Sequence, residues 1–211
     1  MSPAIPIRAV LWDFGGILYP TPYEIAPELE EWRGFPVGSL PRGPFTPGGD
    51  PAYDAVDAGA VREPDYWAAK HDVLAAAGID FVATRDIDWT GRERPSTTRL
   101  MRDIHTAGLK QGALTNDSTA FLGAGWQERF VLRDSFDVIC DSVDIGVRKP
   151  TPESFRIALT QLGSDAVETV FVDDLRVNVR AAAAVGLQVW HFDVTDAVGT
   201  TAGLRAMIGL L

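Results

Sequence analysis

Short, mostly apolar runs that end in polar residues recur along this chain. They are residues 10–12 followed by Asp13, residues 111–114 followed by Thr115 and Asn116, and residues 169–172 followed by Asp173 and Asp174. A short apolar run bounded by turn residues is typical of a strand buried in a parallel sheet. The pattern therefore predicts three strands that each end in chemically active side chains. Further strands are predicted at 136–140 and 187–192.

Helical patterns lie between these strands. Apolar residues recur at every third or fourth position in 96–107 and 152–162, and shorter helices are predicted at 178–185 and 201–211. Ser96 is predicted to cap the first of these helices, because its hydroxyl can accept a free backbone N–H. Strands that alternate with helices in this way predict an α/β fold built on a doubly wound parallel sheet.

Residues 19–90 interrupt this alternation. Helices are predicted at 24–32, 53–59 and 64–77, and a loop rich in glycine and proline at 34–51. We therefore predict an α/β core of residues 1–18 and 91–211, with a small helical cap inserted at 19–90. The alternative is an ordinary helical excursion within a single domain.

Composition narrows the range of partners. The 211 residues carry a formal net charge of -10, which argues against binding nucleic acid through its phosphates. The single cysteine, Cys140, excludes an internal disulfide. No apolar stretch approaches the ~18 residues of a membrane span, and the first residues lack the pattern of a signal peptide. We therefore expect a cytoplasmic protein without a membrane partner, whose oligomeric state the sequence does not indicate.

The polar residues at the strand ends suggest one site. The carboxyl ends of parallel strands share one edge of the sheet, so Asp13, Thr115 and the pair Asp173 and Asp174 can converge there. Clustered carboxylates raise each other's pKa unless a cation offsets them, and Mg²⁺ prefers such oxygen ligands. A carboxylate beside the metal can attack phosphorus, while Thr115 and Lys149 hold the phosphoryl oxygens. Alternatively, each acid only caps a turn or a helix.

Taken together, these segments resemble the haloacid dehalogenase-like hydrolase superfamily, in its subgroup with a small helical cap. The residues that carry the resemblance are 11–18 for motif one, in an Asp-Phe-Gly-Gly variant, 114–116 for motif two, 146–155 for motif three, and 171–174 with Asn178, Ala183 and Gly186 for motif four. The resemblance implies a Rossmann-like core and an aspartyl-enzyme intermediate on the nucleophile Asp13. It also implies that Thr115, Asn116 and Lys149 bind substrate.

The resemblance further implies a Mg²⁺ cofactor. Its ligands would be Asp13, the backbone carbonyl of Gly15, and Asp173 or Asp174. The catalytic residues would be Asp13, Thr115 and Lys149, and the substrate a small-molecule phosphate ester chosen by the cap.

Gly15 is a departure from the family pattern. Phosphatases of the family usually carry a second aspartate there, which protonates the leaving group, and glycine cannot do so. One hypothesis is a slow or specialised Mg²⁺-dependent phosphatase that borrows an acid from the cap, for which the candidates are Glu24, Asp50, Asp54 and His71. The alternatives are a binding or regulatory protein that has lost the chemistry, and a 2-haloacid dehalogenase, which needs neither the proton nor the metal.

Overall fold

Five parallel strands form one sheet at the centre of the computed structural model, which describes residues 5–116 and 118–210. The strands are β1 (Ala9–Trp12), β2 (Lys110–Thr115), β3 (Val138–Asp141), β4 (Thr169–Asp173) and β5 (Gln188–His191). Their order is β3-β2-β1-β4-β5, and all four neighbouring pairs are parallel. The strands β2 and β3 therefore lie on one side of β1, and the strands β4 and β5 lie on the other side. The predicted α/β fold with a Rossmann-like parallel sheet is confirmed.

Alternate residues of the central strands pack into different hydrophobic clusters. Val10 and Trp12 belong to one cluster, whereas Leu11 between them belongs to another. In β4, Phe171 likewise joins the cluster of Leu11. Side chains of a strand alternate between the two faces of its sheet. The continuous apolar runs in β1 and β4 therefore reflect burial on both faces.

Helices cover both faces of the sheet. Eleven α-helices are described: α1 (Ala26–Arg33), α2 (Pro51–Asp57), α3 (Glu63–Ala76), α4 (Ala83–Asp86), α5 (Pro95–Thr106), α6 (Ser118–Leu122), α7 (Trp126–Arg129), α8 (Ser142–Ile145), α9 (Pro152–Leu162), α10 (Arg176–Val185) and α11 (Ala197–Met207). Phe155 of α9 and Ala182 of α10 join the cluster of Leu11. Leu100 of α5 and Leu204 of α11 join the cluster of Val10 on the opposite face. Among the described helices, none is long and apolar enough to cross a membrane.

The prediction that Ser96 caps α5 is wrong. The helix begins one residue earlier, at Pro95, and no side chain caps it. Proline suits the first helical position because its fixed φ is already helical and it has no N–H to satisfy. The preceding residue, Arg94, is therefore the last residue outside the helix.

The segment 19–90 contains α1 to α4 and, within the predicted loop at 34–51, a single 3₁₀ turn at Gly43–Phe45. Its apolar residues Leu29, Leu74 and Trp89 belong to the same cluster as Trp12 of β1. A second, aromatic cluster lies within the segment itself and includes Tyr23, whose ring stacks on Trp67 with centroids 4.9 Å apart. The segment therefore combines an aromatic cluster of its own with extensive packing on the sheet.

Phe155 offers a test of the sheet–helix packing. Its side chain is fully buried and meets Phe171 of β4 edge to face, with ring centroids 5.1 Å apart. We expect Phe155→Ala to lower the free energy of unfolding by about 3–5 kcal/mol, because it removes buried apolar surface and leaves a cavity. Urea unfolding followed by fluorescence measures this change. Val198→Ala, at a side chain that is 71% exposed, is the control, and a Phe155→Ala cost no larger than the control's would contradict the packing described.

Candidate active site

The candidate site lies at the carboxyl edge of the sheet, where β1 is flanked by β2 and β4. Trp12 is in register with Ala113 of β2 and with Val172 of β4. The next residue, Asp13, continues the ladder, because its backbone N–H donates to the Val172 carbonyl over 2.9 Å. The strand order reverses between β1 and β4, because the strands that follow β1 in sequence lie first on one side of it and then on the other. Open α/β sheets bind ligands at such a topological switch point.

Lys149 joins two of the predicted carboxylates. Its Nζ lies 2.9 Å from Asp13 Oδ1 and 2.8 Å from Asp173 Oδ2. Asp173 is held on its other side, because it accepts hydrogen bonds from the Leu175 N–H at 2.9 Å and from Asn178 Nδ2 at 3.0 Å. The lysine side chain is 1% exposed and that of Asp173 is 0% exposed. The ion pairs are therefore almost fully removed from water.

Asn116 fixes the backbone of Lys149 from both sides. The Lys149 N–H donates to Asn116 Oδ1 over 2.9 Å, and Asn116 Nδ2 donates to the Lys149 carbonyl over 3.1 Å. The Lys149–Pro150 peptide bond is cis. The side-chain amide of Asn116 is thus engaged with the backbone that carries the lysine, and its predicted role in substrate binding stays a prediction.

Thr115 is buried at the end of β2. Its hydroxyl forms a hydrogen bond with the hydroxyl of Ser118, with the two oxygens 2.7 Å apart. The Thr115 hydroxyl is not among the described contacts of the Lys149 ammonium. Ser118 was not predicted from the sequence, and the only signal for it is a hydroxyl residue at the start of the helix that follows Thr115.

Three carboxylates cluster around the lysine. Asp13, Asp173 and Asp174 each offer an oxygen, and these oxygens lie within 4.8 Å of one another. Burial raises the pKa of Asp13 to about 6, with a further contribution from Asp173 and an opposing one from Lys149. Burial also raises the pKa of Asp174 well above its usual range, and Asp173 and Asp13 add to this effect.

Lys149 shows the opposite balance. Burial alone would lower the pKa of its ammonium, but the charges of Asp13 and Asp173 outweigh burial and hold that pKa above its ordinary value. With all three carboxylates ionised, as ligands of a bound cation would be, the group would carry two negative charges beyond the one that the ammonium compensates. Hard oxygen donors with that excess charge suit a divalent cation such as Mg²⁺. The residues present therefore fit the metal that the resemblance implies.

The two glycines after Asp13 differ in what surrounds them. Gly16 has a φ of +71°, and a side chain there would collide with the Asp174 carboxylate. Only glycine combines that backbone conformation with so close an approach. Gly15 has no positive φ, and a Cβ built on it would meet no atom within 4 Å. Glycine at this position therefore leaves open space two residues after Asp13.

The proton donors suggested from the sequence are mostly engaged elsewhere. Glu24 forms a two-point ion pair with Arg94, one contact of which measures 2.9 Å. Asp50 caps α2 and accepts a hydrogen bond from the Tyr66 hydroxyl at 2.9 Å. Asp54 is exposed in the first turn of α2. His71 Nε2 is buried without a hydrogen-bond partner among the described residues.

Comparison with known proteins identifies the family to which the chain belongs. The sequence model of the haloacid dehalogenase-like hydrolase family matches residues 7–186, so the chain belongs to that family of hydrolases. Acyl-CoA dehydrogenase family member 10 of Mus musculus is 27% identical over 196 residues, which are 88% of this chain and 18% of that protein. The chain thus spans a small part of that relative.

Two further proteins are similar to this chain over most of its length and most of their own. Sesquiterpene phosphatase astK of Aspergillus oryzae is 31% identical over 74% of this chain and 79% of its own length. The crystal structure of a haloacid dehalogenase-superfamily hydrolase from Ehrlichia chaffeensis superposes with a TM-score of 0.60 at 16% identity, over 96% of this chain and 98% of that one. The latter similarity concerns the fold alone.

The raised pKa of Asp13 predicts a pH-dependent effect on stability. Between the ordinary value of 3.8 and about 6, the folded state holds a proton that the unfolded chain has lost. Stability from this group is therefore lost as the pH rises through that window. We expect Asp13→Asn to stabilise the metal-free protein by up to ~3 kcal/mol at pH 8 and to have little effect at pH 4. Urea unfolding with EDTA at the two pH values measures this difference.

The matched control is Asp80→Asn, because the Asp80 side chain is 82% exposed. It should change stability by less than about 0.5 kcal/mol at either pH. Equal effects of Asp13→Asn at pH 4 and pH 8 would contradict the assignment of a buried, destabilising charge to Asp13.

Proposed function

We propose that this chain is a Mg²⁺-dependent phosphatase that acts on a small phosphorylated metabolite through an aspartyl-phosphate on Asp13. The observation that carries the proposal is the Lys149 ammonium lying 2.9 Å from Asp13 and 2.8 Å from Asp173, beside Asp174 at the sheet edge. Membership of the hydrolase family and similarity to a protein named as a phosphatase support it.

Asp13, the Gly15 carbonyl, and Asp173 or Asp174 would hold the Mg²⁺. The metal, when bound, neutralises the excess negative charge of the site and of the phosphate group. Residues 19–90 would act as the cap that selects the substrate over a core of residues 1–18 and 91–211. The Asp13 side chain is 13% exposed, so it keeps some contact with solvent at the proposed site.

The proposed reaction has two steps. A carboxylate oxygen of Asp13 attacks phosphorus, and the bond between phosphorus and the leaving-group oxygen breaks. Lys149 and Thr115 hold the phosphoryl oxygens, and the departing alkoxide takes its proton from solvent because Gly15 cannot supply one. Water then attacks phosphorus, the bond to Asp13 breaks, and inorganic phosphate leaves with the carboxylate restored.

Phosphate release tests this proposal directly. We expect aryl and small-metabolite phosphates to be hydrolysed only with Mg²⁺, and Asp13→Asn to lower kcat by at least ~10³-fold, because it removes the nucleophile. Activity that survives Asp13→Asn would rule out the mechanism. Mg²⁺ binding without turnover of any ester would favour the binding or regulatory protein, and turnover of a 2-haloacid would favour the dehalogenase.

Gly15→Asp tests the role of the missing acid. The open space and ordinary φ at Gly15 should accept the side chain without strain. We expect kcat to rise by roughly 10²-fold for alkyl phosphates, whose leaving groups need a proton, and to change little for nitrophenyl phosphate, whose leaving group does not. The ratio of the two rates is the readout. Gly15→Ala, which adds bulk without an acid, is the control, and an equal gain in both variants would contradict this role.

A further inference from the structure

A single arginine, Arg94, forms hydrogen bonds with the turn at residues 13–18, which begins at the proposed nucleophile Asp13. Arg94 is far from this turn in sequence, yet its Nε donates to the Gly16 carbonyl over 3.1 Å. Its backbone N–H also donates to the Leu18 carbonyl, over 2.7 Å. The Arg94 side chain is 11% exposed. Two carbonyl groups of the same turn are therefore tied to one largely buried residue.

Glu24 fixes the orientation of this arginine. Arg94 Nη1 donates to Glu24 Oε1 over 2.9 Å, and Nη2 contacts the other carboxylate oxygen. Such two-point pairing restricts the planar guanidinium to one orientation. It also neutralises the guanidinium, which would otherwise repel a divalent cation bound close to the turn. The pair thus presents a hydrogen-bond donor to Gly16 without adding net positive charge.

The turn is closed by backbone hydrogen bonds from the Leu18 and Tyr19 N–H groups to the Phe14 carbonyl, at 2.9 and 3.2 Å, and the contacts of Arg94 add to these. Gly16 lies so close to the Asp174 carboxylate that a side chain there would collide with it, and its carbonyl is bound by Arg94. The hydrogen bond from Arg94 restrains the peptide plane that follows the Gly16 Cα, and the Asp174 carboxylate leaves little room beside that Cα. The Gly15 carbonyl belongs to the peptide plane that precedes the same Cα, so a shift of Gly16 would also turn this carbonyl.

We propose that Arg94, oriented by Glu24, is a positioning residue that acts through Gly16 to aim the Gly15 carbonyl at the Mg²⁺ site. The inference rests on the proposed function for the identity of the metal and of its backbone ligand. It links residue 24 of the helical segment to the geometry of the metal site.

The neighbouring Arg92 provides a matched control. It forms a similar two-point pair with Glu28, at 3.1 Å and 2.5 Å, and its Nε donates to the Asp88 carbonyl over 2.7 Å. Like Arg94, it therefore joins the segment before α5 to a glutamate near α1 through a two-point ion pair. Its described hydrogen bonds do not reach residues 13–18.

The test is calorimetric titration of Mg²⁺ into the full, metal-free chain without substrate. We expect Arg94→Met to raise the Kd for Mg²⁺ about 10-fold, the usual size of effects from residues that orient metal ligands. Arg92→Met should change the Kd by less than about 2-fold on the same scale. Arg94→Lys keeps the charge but cannot contact Gly16 and both Glu24 oxygens together, so its Kd should lie between those of Arg94→Met and the wild type.

Glu24→Gln tests the neutralisation of the guanidinium. It leaves the positive charge of Arg94 uncompensated, so we expect weaker Mg²⁺ binding that recovers in part as salt screens the repulsion. Thermal melts of every variant in EDTA identify any that fails to fold. If Arg94→Met fails to fold, Arg94→Lys takes its place.

Equal Mg²⁺ affinities of Arg94→Met and Arg92→Met would overturn the inference, as would an unchanged Kd in Arg94→Met. If the wild type binds Mg²⁺ but hydrolyses no phosphate ester, the proposed function fails, while the inference still stands or falls on the Kd values. A wild-type chain that binds no Mg²⁺ overturns both.

Discussion

A buried ammonium held between two carboxylates is the interaction on which the rest of this structure depends. Lys149 contacts Asp13 and Asp173 in surroundings almost free of water, where an unpaired charge would cost several kcal/mol. The single ammonium can compensate only one of the two carboxylates that it contacts, and Asp174 adds a third acid to the same group. The ligand-free site therefore remains anionic, which suits it to bind a divalent cation and, with that cation, an anionic substrate.

The fold holds the charged residues of this site through strand pairing and backbone hydrogen bonds. Parallel pairing aligns the ends of β1 and β4, and burial on both faces requires the apolar runs that precede Asp13 and Asp173. Asn116 at the end of β2 then fixes the backbone of Lys149, which arrives from a loop after β3. Each charged group is thus anchored by a main-chain element, so the cluster keeps its geometry despite its repulsion.

The sequence predicted the sheet, the helices around it and the strand ends that carry Asp13, Thr115 and Asp173, because these follow from local periodicity. It did not predict that the Thr115 hydroxyl pairs with Ser118, or that Arg94 reaches Gly16. Those contacts join residues through side-chain orientation and long-range packing, which no local pattern encodes. The expected cap at Ser96 was wrong because the preceding proline already sets the helical start. The division into core and cap, and the role of each site residue, stay predictions.

The measurement that tests the central claim most directly compares Mg²⁺ binding by the wild type and by Asp174→Asn. Asp13 and Asp173 both contact the Lys149 ammonium, whereas no such contact is described for Asp174. A bound cation would therefore supply the positive charge that the Asp174 carboxylate needs. Calorimetry should find one Mg²⁺ per wild-type chain and an affinity at least ~10-fold weaker in the variant. No binding by the wild type, or equal binding by both proteins, would contradict the account of the cluster as a divalent-cation site.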